Sequence, residues 1–289
     1  MSASLFERPG FLPEPGDLAA WRGGTVGLTG GSGVLGGLLR ERLRERGLRV
    51  EAYDGDVNDT GALAVWCAKY SFNRFFHFAA LVPVSQVEAD PLLAYGTNVI
   101  GTFNICRQLR LTQPDCWLFH CSSSHVYQPT ASAARISELA PTVPPTFYGE
   151  TKLAAERLVA VLYGKLRRPY CIGRVFSFTH ARQAPPYLVP SLRARIAPLR
   201  DGDALEVENP SSVRDIQDAG HVIDAILGLA ARHATGTVNI GTGTGLEVRE
   251  IALRVARSLG RQITVRGVDR ALPAALIADT SRLESLLCA

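Results

Sequence analysis

Tyr148 and Lys152 stand four residues apart at the head of a helical run over residues 148–164. A spacing of i, i+4 sets both side chains on one helix face. A phenol ordinarily loses its proton near pH ~10, and an adjacent ammonium favours the phenolate. The pair is therefore suited to exchanging a proton with a sugar or alcohol oxygen near neutral pH. A pattern this short is weak alone, since a buried ring beside a solvated lysine has the same spacing. Two further features support the chemical reading: a glycine-rich stretch near the N-terminus and the serine cluster Ser122-Ser123-Ser124 upstream. Lysine is also scarce, with only Lys69, Lys152 and Lys165 against many arginines.

Gly30, Gly33 and Gly36 form G-x-x-G-x-x-G between an expected strand, Thr25 to Thr29, and an expected helix reaching Arg46. Glycines there permit a tight turn and close approach of a pyrophosphate, and a helix N-terminus offers free N–H groups to the anion. Asp54 lies 24 residues after Gly30, at the end of a second strand over 48–53. A carboxylate there accepts hydrogen bonds from an adenosine ribose and repels a 2′-phosphate, which favours NAD, with NADP the second option. The competing reading is that Asp54-Gly55 is only a turn. Asp56-Val57 then brackets the adenine, and the roles of Asp54 and Asp56 are not separated by the sequence.

These side chains must be held by a fold, and the rest of the chain indicates which. Strands over 74–78, 116–121 and 168–176 alternate with helices over 60–70, 91–111 and 148–164. That alternation implies α/β architecture with a parallel, doubly wound sheet. Beyond about Ser177 the pattern loosens into helices over 190–196, 219–231 and 248–259 and a strand over 238–240. Residues 1–23 are rich in Pro and Gly and read as a surface extension. With 289 residues, 46% hydrophobic and 20% charged, the chain has the composition of a soluble globular protein with a large core. Its net charge of +4 is slight, and Arg40, Arg42, Arg44 and Arg46 alternate with Glu41 and Glu45 as on a solvated helix face, so no nucleic-acid partner is expected. The six cysteines show no C-x-x-C pair and read as reduced thiols of a cytoplasmic protein. No metal site is expected. No stretch is apolar enough to span a membrane, and Glu7 and Pro9 interrupt any signal-peptide core.

Taken together, these pieces resemble an extended short-chain dehydrogenase/reductase of the nucleotide-sugar epimerase/dehydratase family. The resemblance runs from Thr25 to about Leu287. It rests on Thr29 to Gly36, Asp56-Val57, His77-Phe78-Ala79-Ala80, Asn98 to Thr102, Ser122 to Tyr127 and Tyr148 to Lys152. Leu188-Val189-Pro190, Arg214-Asp215, Asn239-Ile240-Gly241 and Ala278 to Ser281 continue it. It implies a Rossmann domain over 24–177 and a smaller C-terminal substrate-binding lobe over 178–289, with segments near 213–242 returning to the first domain. It implies a catalytic set of Ser123, Tyr148 and Lys152: Ser123 donates to the reacting oxygen, Tyr148 moves the proton, and Lys152 binds the nicotinamide ribose and holds the phenol's pKa down. Ser32, Val34, Leu35, Val57, Phe78, Ala79, Ala80, Asn98 and Val175 are implied as further cofactor contacts. The implied substrate is a nucleotide-diphosphate hexose oxidised or reduced at C4, by an epimerase or a 4-keto-sugar reductase. A dinucleotide-binding scaffold or redox-sensing regulator on the same fold is the alternative class.

Departures from the family pattern bear on the reaction. Ser124-His125 stands where dehydratases carry an acidic pair, which argues against dehydration. Gln128 and Ser177 also replace family residues, and the chain ends at Ala289, short of the usual final helix. Arg214 matches a position that binds substrate diphosphate, or else it pairs at the surface with Asp215 or Asp218. In GDP-fucose synthases, which this stretch resembles, the position of His125 holds an acid/base cysteine whose partner matches Tyr187. His125 is thus either a second acid/base with Tyr187 or a pocket residue satisfied by backbone. Ser124 reads as a substrate contact or a strand-end hydroxyl. The family further implies a homodimer through a four-helix bundle, with Leu92, Ile100, Leu153, Leu158 and Leu162 as candidate contacts.

Overall fold

A computed structural model of the chain describes residues 5–12, 18, 21, 23–270 and 274–288. The first half alternates strand and helix: β1 (Thr25–Thr29), α1 (Val34–Glu45), β2 (Arg49–Tyr53), α2 (Thr60–Cys67), β3 (Phe72–His77), α3 (Val84–Ala89), α4 (Pro91–Tyr95), α5 (Gly101–Thr112) and β4 (Trp117–Ser123). After β5 (Arg135–Ile136) come α6 (Phe147–Val159), β6 (Tyr170–Val175), β7 (Ser177–Thr179), α7 (Leu188–Ile196), β8 (Ala204–Glu206), β9 (Val213–Arg214) and β10 (Ile216–Asp218). The chain then forms α8 (Ala219–Ala231), β11 (Gly236–Ile240), β12 (Leu246–Glu247), α9 (Val248–Ser258), β13 (Thr264–Arg266), β14 (Ala275–Ala278) and α10 (Ser281–Cys288).

Six strands form one parallel sheet in the order β11-β6-β4-β3-β1-β2. The expected doubly wound sheet is therefore present. Its strands are buried on both faces, as near-continuous apolar runs require: β1 is buried throughout and β3 and β4 nearly so. One face packs on α1, α8 and α10 through Leu39, Leu43, Ile226 and Leu287; the other packs on α2, α5 and α6 through Leu63, Ile105, Leu109 and Val159. The direction of winding reverses between β1 and β3, which opens a crevice at their carboxyl ends.

Local chemistry sets the helix ends. Asp59, Asp90 and Thr146 cap α2, α4 and α6 by accepting from backbone N–H groups three residues on. Gly47 and Gly260, at φ 74° and 67°, end α1 and α9 in the left-handed region. The runs expected over 91–111 and 148–164 each contain one π turn, Gly96–Ile100 and Ala160–Gly164. The helix expected over 60–70 stops at Cys67, and α10 was not expected at all.

A second core, Val189, Leu192, Ile196, Ile251 and Val255, joins α7 and α9 beyond the main sheet. Residues 1–23 depart from the expected surface extension at their large apolar side chains, although Glu7, Gly10 and Gly23 are exposed. Phe6 is buried in that second core, while Leu12, Leu18 and Trp21 are buried against the main sheet. The Arg74 guanidinium lies 4.2 Å over the Trp21 ring, and Arg8 and Arg42 share the buried Asp224 carboxylate. Large apolar side chains outweigh the Pro and Gly content of the segment. The remainder of 1–23 lies outside the described residues.

Candidate active site

The crevice is a cleft of about 1380 Å³ lined by the ends of β1, β2, β3, β4 and β6 and by the loop entering α7. Its floor is the turn after β1. Gly30 sits at φ 72°, and a Cβ there would lie 2.5 Å from the Ala79 nitrogen. Gly36 is equally constrained, since its Cβ would lie 2.2 Å from the Gly30 carbonyl oxygen. α1 begins beside this turn with no side-chain cap on Gly33, so its first-turn N–H groups are available to an anion. A bare turn, a helix N-terminus and a carboxylate at the end of β2 are the donor and acceptor set that a dinucleotide needs, and the residues fit one.

The β2 end separates two carboxylates. Asp56 Oδ1 accepts from Asn58 N at 2.9 Å and is held in its own turn. Asp54 is exposed, lines the cleft and makes no such bond, so it is the acid available to a ribose. Ser32, Gly33, Val34, Leu35, Val57, Phe78, Ala79, Ala80 and Val175 line the same cleft. Asn98 does not. It is 1% exposed, accepts from Leu81 N at 2.7 Å and donates to Thr151 Oγ1 at 3.0 Å. It pins the loop after β3 to α6 from behind the cleft wall, which corrects its expected place as a cofactor contact.

At the opposite end of the cleft stand Ser123, Ser124, His125, Tyr148, Lys152, Tyr187 and Arg214. Ser123 closes β4; its hydroxyl accepts from His125 N at 3.2 Å and lies close enough to the Tyr148 phenol to lower that phenol's pKa. Gly149 allows this approach, because a Cβ there would lie 2.2 Å from the His125 carbonyl oxygen. Tyr148 is thus seated on the β4 turn in the first turn of α6, with Lys152 buried one turn further on.

Burial pushes the Tyr148 phenol up, and the nearby Cys121 and Tyr187 add to this while the Ser123 hydroxyl opposes it. The Lys152 ammonium lowers His77, His120 and Cys121, which lie on the sheet side. Lys152 is itself lowered by burial, with Cys121 and Glu156 opposing. Burial also lowers His125, and Arg214 adds to this, so the imidazole is held neutral. Its ring meets the Tyr148 ring edge-on at 5.4 Å.

A buried network supports these groups from below. Glu156, one turn after Lys152, accepts from Ser122 Oγ at 2.5 Å and from Arg174 Nη2 at 2.7 Å. Arg174 also donates to Tyr127 Oη, which donates to Asn239. Sequence reasoning missed this network, and it missed Arg40, Cys121, Gln183 and Ile216 as cleft residues. No cluster of metal-ligating side chains occurs among the described residues.

Comparison with known proteins agrees with this geometry. The family model described as GDP-mannose 4,6 dehydratase matches residues 34–276. The UDP-glucose 4-epimerase of Halalkalibacterium halodurans is 26% identical, over 90% of this chain and 88% of its own. Among solved structures, RMD from Pseudomonas aeruginosa complexed with NADPH superposes with a TM-score of 0.82 at 22% identity, covering 92% of each chain. The UDP-glucose 4-epimerase of Thermus thermophilus in complex with NAD does so with a TM-score of 0.79 at 23% identity, covering 90% of this chain and 92% of that one. The fold, the glycine turn and the extent of the family match make the chain a member of the GDP-mannose 4,6 dehydratase family, within the extended short-chain dehydrogenase/reductases that act as nucleotide-sugar epimerases and dehydratases.

Proposed function

We propose that the protein is an NAD(P)-dependent enzyme that epimerises a nucleotide-diphosphate hexose at C4, with Ser123, Tyr148 and Lys152 as the catalytic set. The observation that carries this reading is the convergence of Ser123, Tyr148 and Lys152 at the end of the cleft opposite Asp54. A dinucleotide bound along Gly30–Gly36 and Asp54 supplies hydride exchange at the sugar carbon. The chain's own residues do the rest. Ser123 and Tyr148 hold the sugar oxygen between two hydroxyls, and Tyr148 takes or returns its proton. Lys152 contributes positive charge to the buried site once the ribose is in place. Arg214 faces the substrate end with no carboxylate partner and suits a diphosphate.

The cleft lining supports redox chemistry over elimination of water. Among the described residues that line it, the carboxylates are Asp54 and Asp56, at the adenosine end. No acid stands beside Ser123 to protonate a leaving hydroxyl. His125, held neutral by burial, is a sugar contact in this reading. Reduction of a 4-keto sugar is the second reading, favoured by the cationic Arg40 beside Asp54. Leu92, Ile100, Phe103 and Val161 expose apolar side chains on α4, the π turn before α5, α5 and the π turn after α6, which suits a homodimer. Leu153, counted among its contacts from the sequence, is buried beneath α6 and makes no part of that surface. No described helix is long and apolar enough to cross a membrane.

The test is incubation with a panel of UDP-, GDP- and dTDP-hexoses, read by NMR for the C4 epimer and by absorbance for consumption of added NADH or NADPH. Epimer without consumption of added cofactor supports the first reading. Consumption with a 4-keto sugar supports the second, and dinucleotide binding without either product leaves the scaffold alternative.

A further inference from the structure

The run Arg40, Arg42, Arg44, Arg46 looks like one solvated face in sequence, yet its members have different surroundings. Arg42 bonds Asp224 at 2.7 Å, Arg44 donates to Val50 O at 3.4 Å and Arg46 to Arg42 O at 3.3 Å. Arg40 is half-buried, lines the cleft and has no hydrogen bond or ion pair with any described residue. Its Nη1 lies 3.4 Å from where a Cβ on Gly31 would stand, and Ala52 Cβ lies at the same 3.4 Å. The guanidinium therefore occupies the groove between the glycine turn and the end of β2. Gly31, by lacking a side chain, leaves it that space.

Asp54 follows Ala52 by two residues and lines the same end, but the two charges do not pair. The other carboxylates near Arg40 are engaged elsewhere. Glu41 forms a bidentate pair with Arg182, both bonds at 2.9 Å, Glu51 bonds Arg49 at 3.0 Å, and Asp56 is held by its own turn. Arg40 acts on the Glu41 carboxylate only through space, so a guanidinium with no bonded carboxylate among the described residues, whose planar fork matches phosphate oxygens, lines the same cleft as the carboxylate that would bind an unmodified ribose.

We propose that Arg40 determines cofactor specificity by binding the 2′-phosphate of an adenosine ribose, so that the site takes NADP(H) as well as NAD(H) despite Asp54. This rests on the reading that the cleft holds a dinucleotide. The two positions then divide the work. Asp54 serves the 2′-hydroxyl of the unphosphorylated cofactor, and Arg40 offsets its repulsion when a phosphate is present.

The test is a fluorescence titration of NADH and NADPH into the wild type, Arg40→Leu and Asp54→Asn, with no sugar present. The wild type should bind the two within about tenfold of each other. Arg40→Leu should weaken NADPH by about tenfold or more and leave NADH within about twofold, which also reports that the variant is folded. Asp54→Asn should shift the ratio toward NADPH. Adenosine 2′,5′-bisphosphate against 5′-AMP, as competitors, should show the same contrast at the adenosine end alone. NADPH binding a hundredfold weaker than NADH in the wild type, or an equal loss of both in Arg40→Leu, would overturn the role of Arg40 and leave the dinucleotide reading intact. Absence of binding by either cofactor would overturn both.

Discussion

Arg214 and Asp215 are neighbours in the chain and do not pair. Asp215 is fully buried and turns away from the cleft, accepting from Thr242 N and Oγ1, Gly243 N and Ala278 N between 2.7 and 3.1 Å. Arg214 faces the cleft and donates only to the Val213 and Ala274 carbonyls, at 2.9 and 3.1 Å. The surface ion pair with Asp215, one of the two sequence readings, does not form. The guanidinium is instead held by backbone carbonyls with its charge uncompensated.

Arg214→Gln should therefore raise the KM for a nucleotide sugar about 10- to 100-fold, the value of a charged hydrogen bond or two, with a smaller change in kcat. Steady-state kinetics with the preferred substrate measure this. An unchanged KM would remove Arg214 from the diphosphate site. Asp215→Asn, by contrast, should lower stability by roughly 2 kcal/mol, because an amide NH2 replaces one acceptor among several buried donors.

His125 lies against Tyr148, and burial with Arg214 lowers its pKa. A neutral imidazole titrates below the working range, so it contributes no limb to the profile near neutrality. His125→Gln should raise KM several-fold and leave the pH dependence of kcat between pH 6 and 9 in place. Loss of one limb in both His125→Gln and His125→Ala would instead make His125 an acid/base.

His77 and His120 stack across β3 and β4 with ring centroids 5.5 Å apart. His77 bonds Thr29 at 2.6 Å and Thr102 at 3.0 Å, whereas neither ring nitrogen of His120 has a partner among the described residues. Burial lowers His77 from 6.5 to about 3 and His120 well below 6.5, with the Lys152 charge adding to both. The unfolded chain binds protons at both below about pH 6.5 and the folded chain does not, so stability rises with pH through this window and falls as acid is added. At pH 5 His77 contributes a loss of about 2 kcal/mol, and His120 acts in the same direction. His120→Phe should flatten the acid side of the stability profile, measured as Tm from pH 7 to pH 4.5. A slope unchanged by the substitution would contradict the burial account.

Glu156 and Arg174 form a buried pair at 2.7 Å that also ties down Ser122. Removing one charge leaves the other uncompensated, at a cost of about 3–5 kcal/mol. Glu156→Gln should lose stability on that scale in urea denaturation, and a loss below about 1 kcal/mol would mean that the pair is solvated.

Much of this was legible in the sequence where a single residue type is physically required. Gly30 and Gly36 admit no Cβ, so the tight turn after β1 announces itself. Tyr148, Lys152 and Ser123 converge because i, i+4 spacing on α6 and the end of β4 meet at the carboxyl end of the sheet. What was hidden depends on tertiary surroundings. Asn98 has the polarity of a site residue, but its bonds run to Leu81 and Thr151 behind the wall. Arg40 is indistinguishable from Arg42 until the groove at Gly31 and Ala52 is seen. Phe6 and Trp21 sit among prolines and glycines without periodicity, so their burial on two different cores left no pattern to read. The π turns in the two long helices likewise leave a 3.6-residue period almost unchanged.

The central claim is that the Tyr148 phenol, seated against Ser123, moves the proton in a dinucleotide-dependent reaction of a nucleotide sugar. Tyr148→Phe tests it most directly, because the ring and its packing remain while the hydroxyl is lost. Cofactor affinity and turnover should be measured on one preparation, with the nucleotide hexose that the wild type converts fastest. The account predicts NADH affinity within about twofold of the wild type and turnover reduced by ~10²-fold or more, the scale of a lost general acid/base. Turnover within a few-fold of the wild type, with affinity intact, would contradict it.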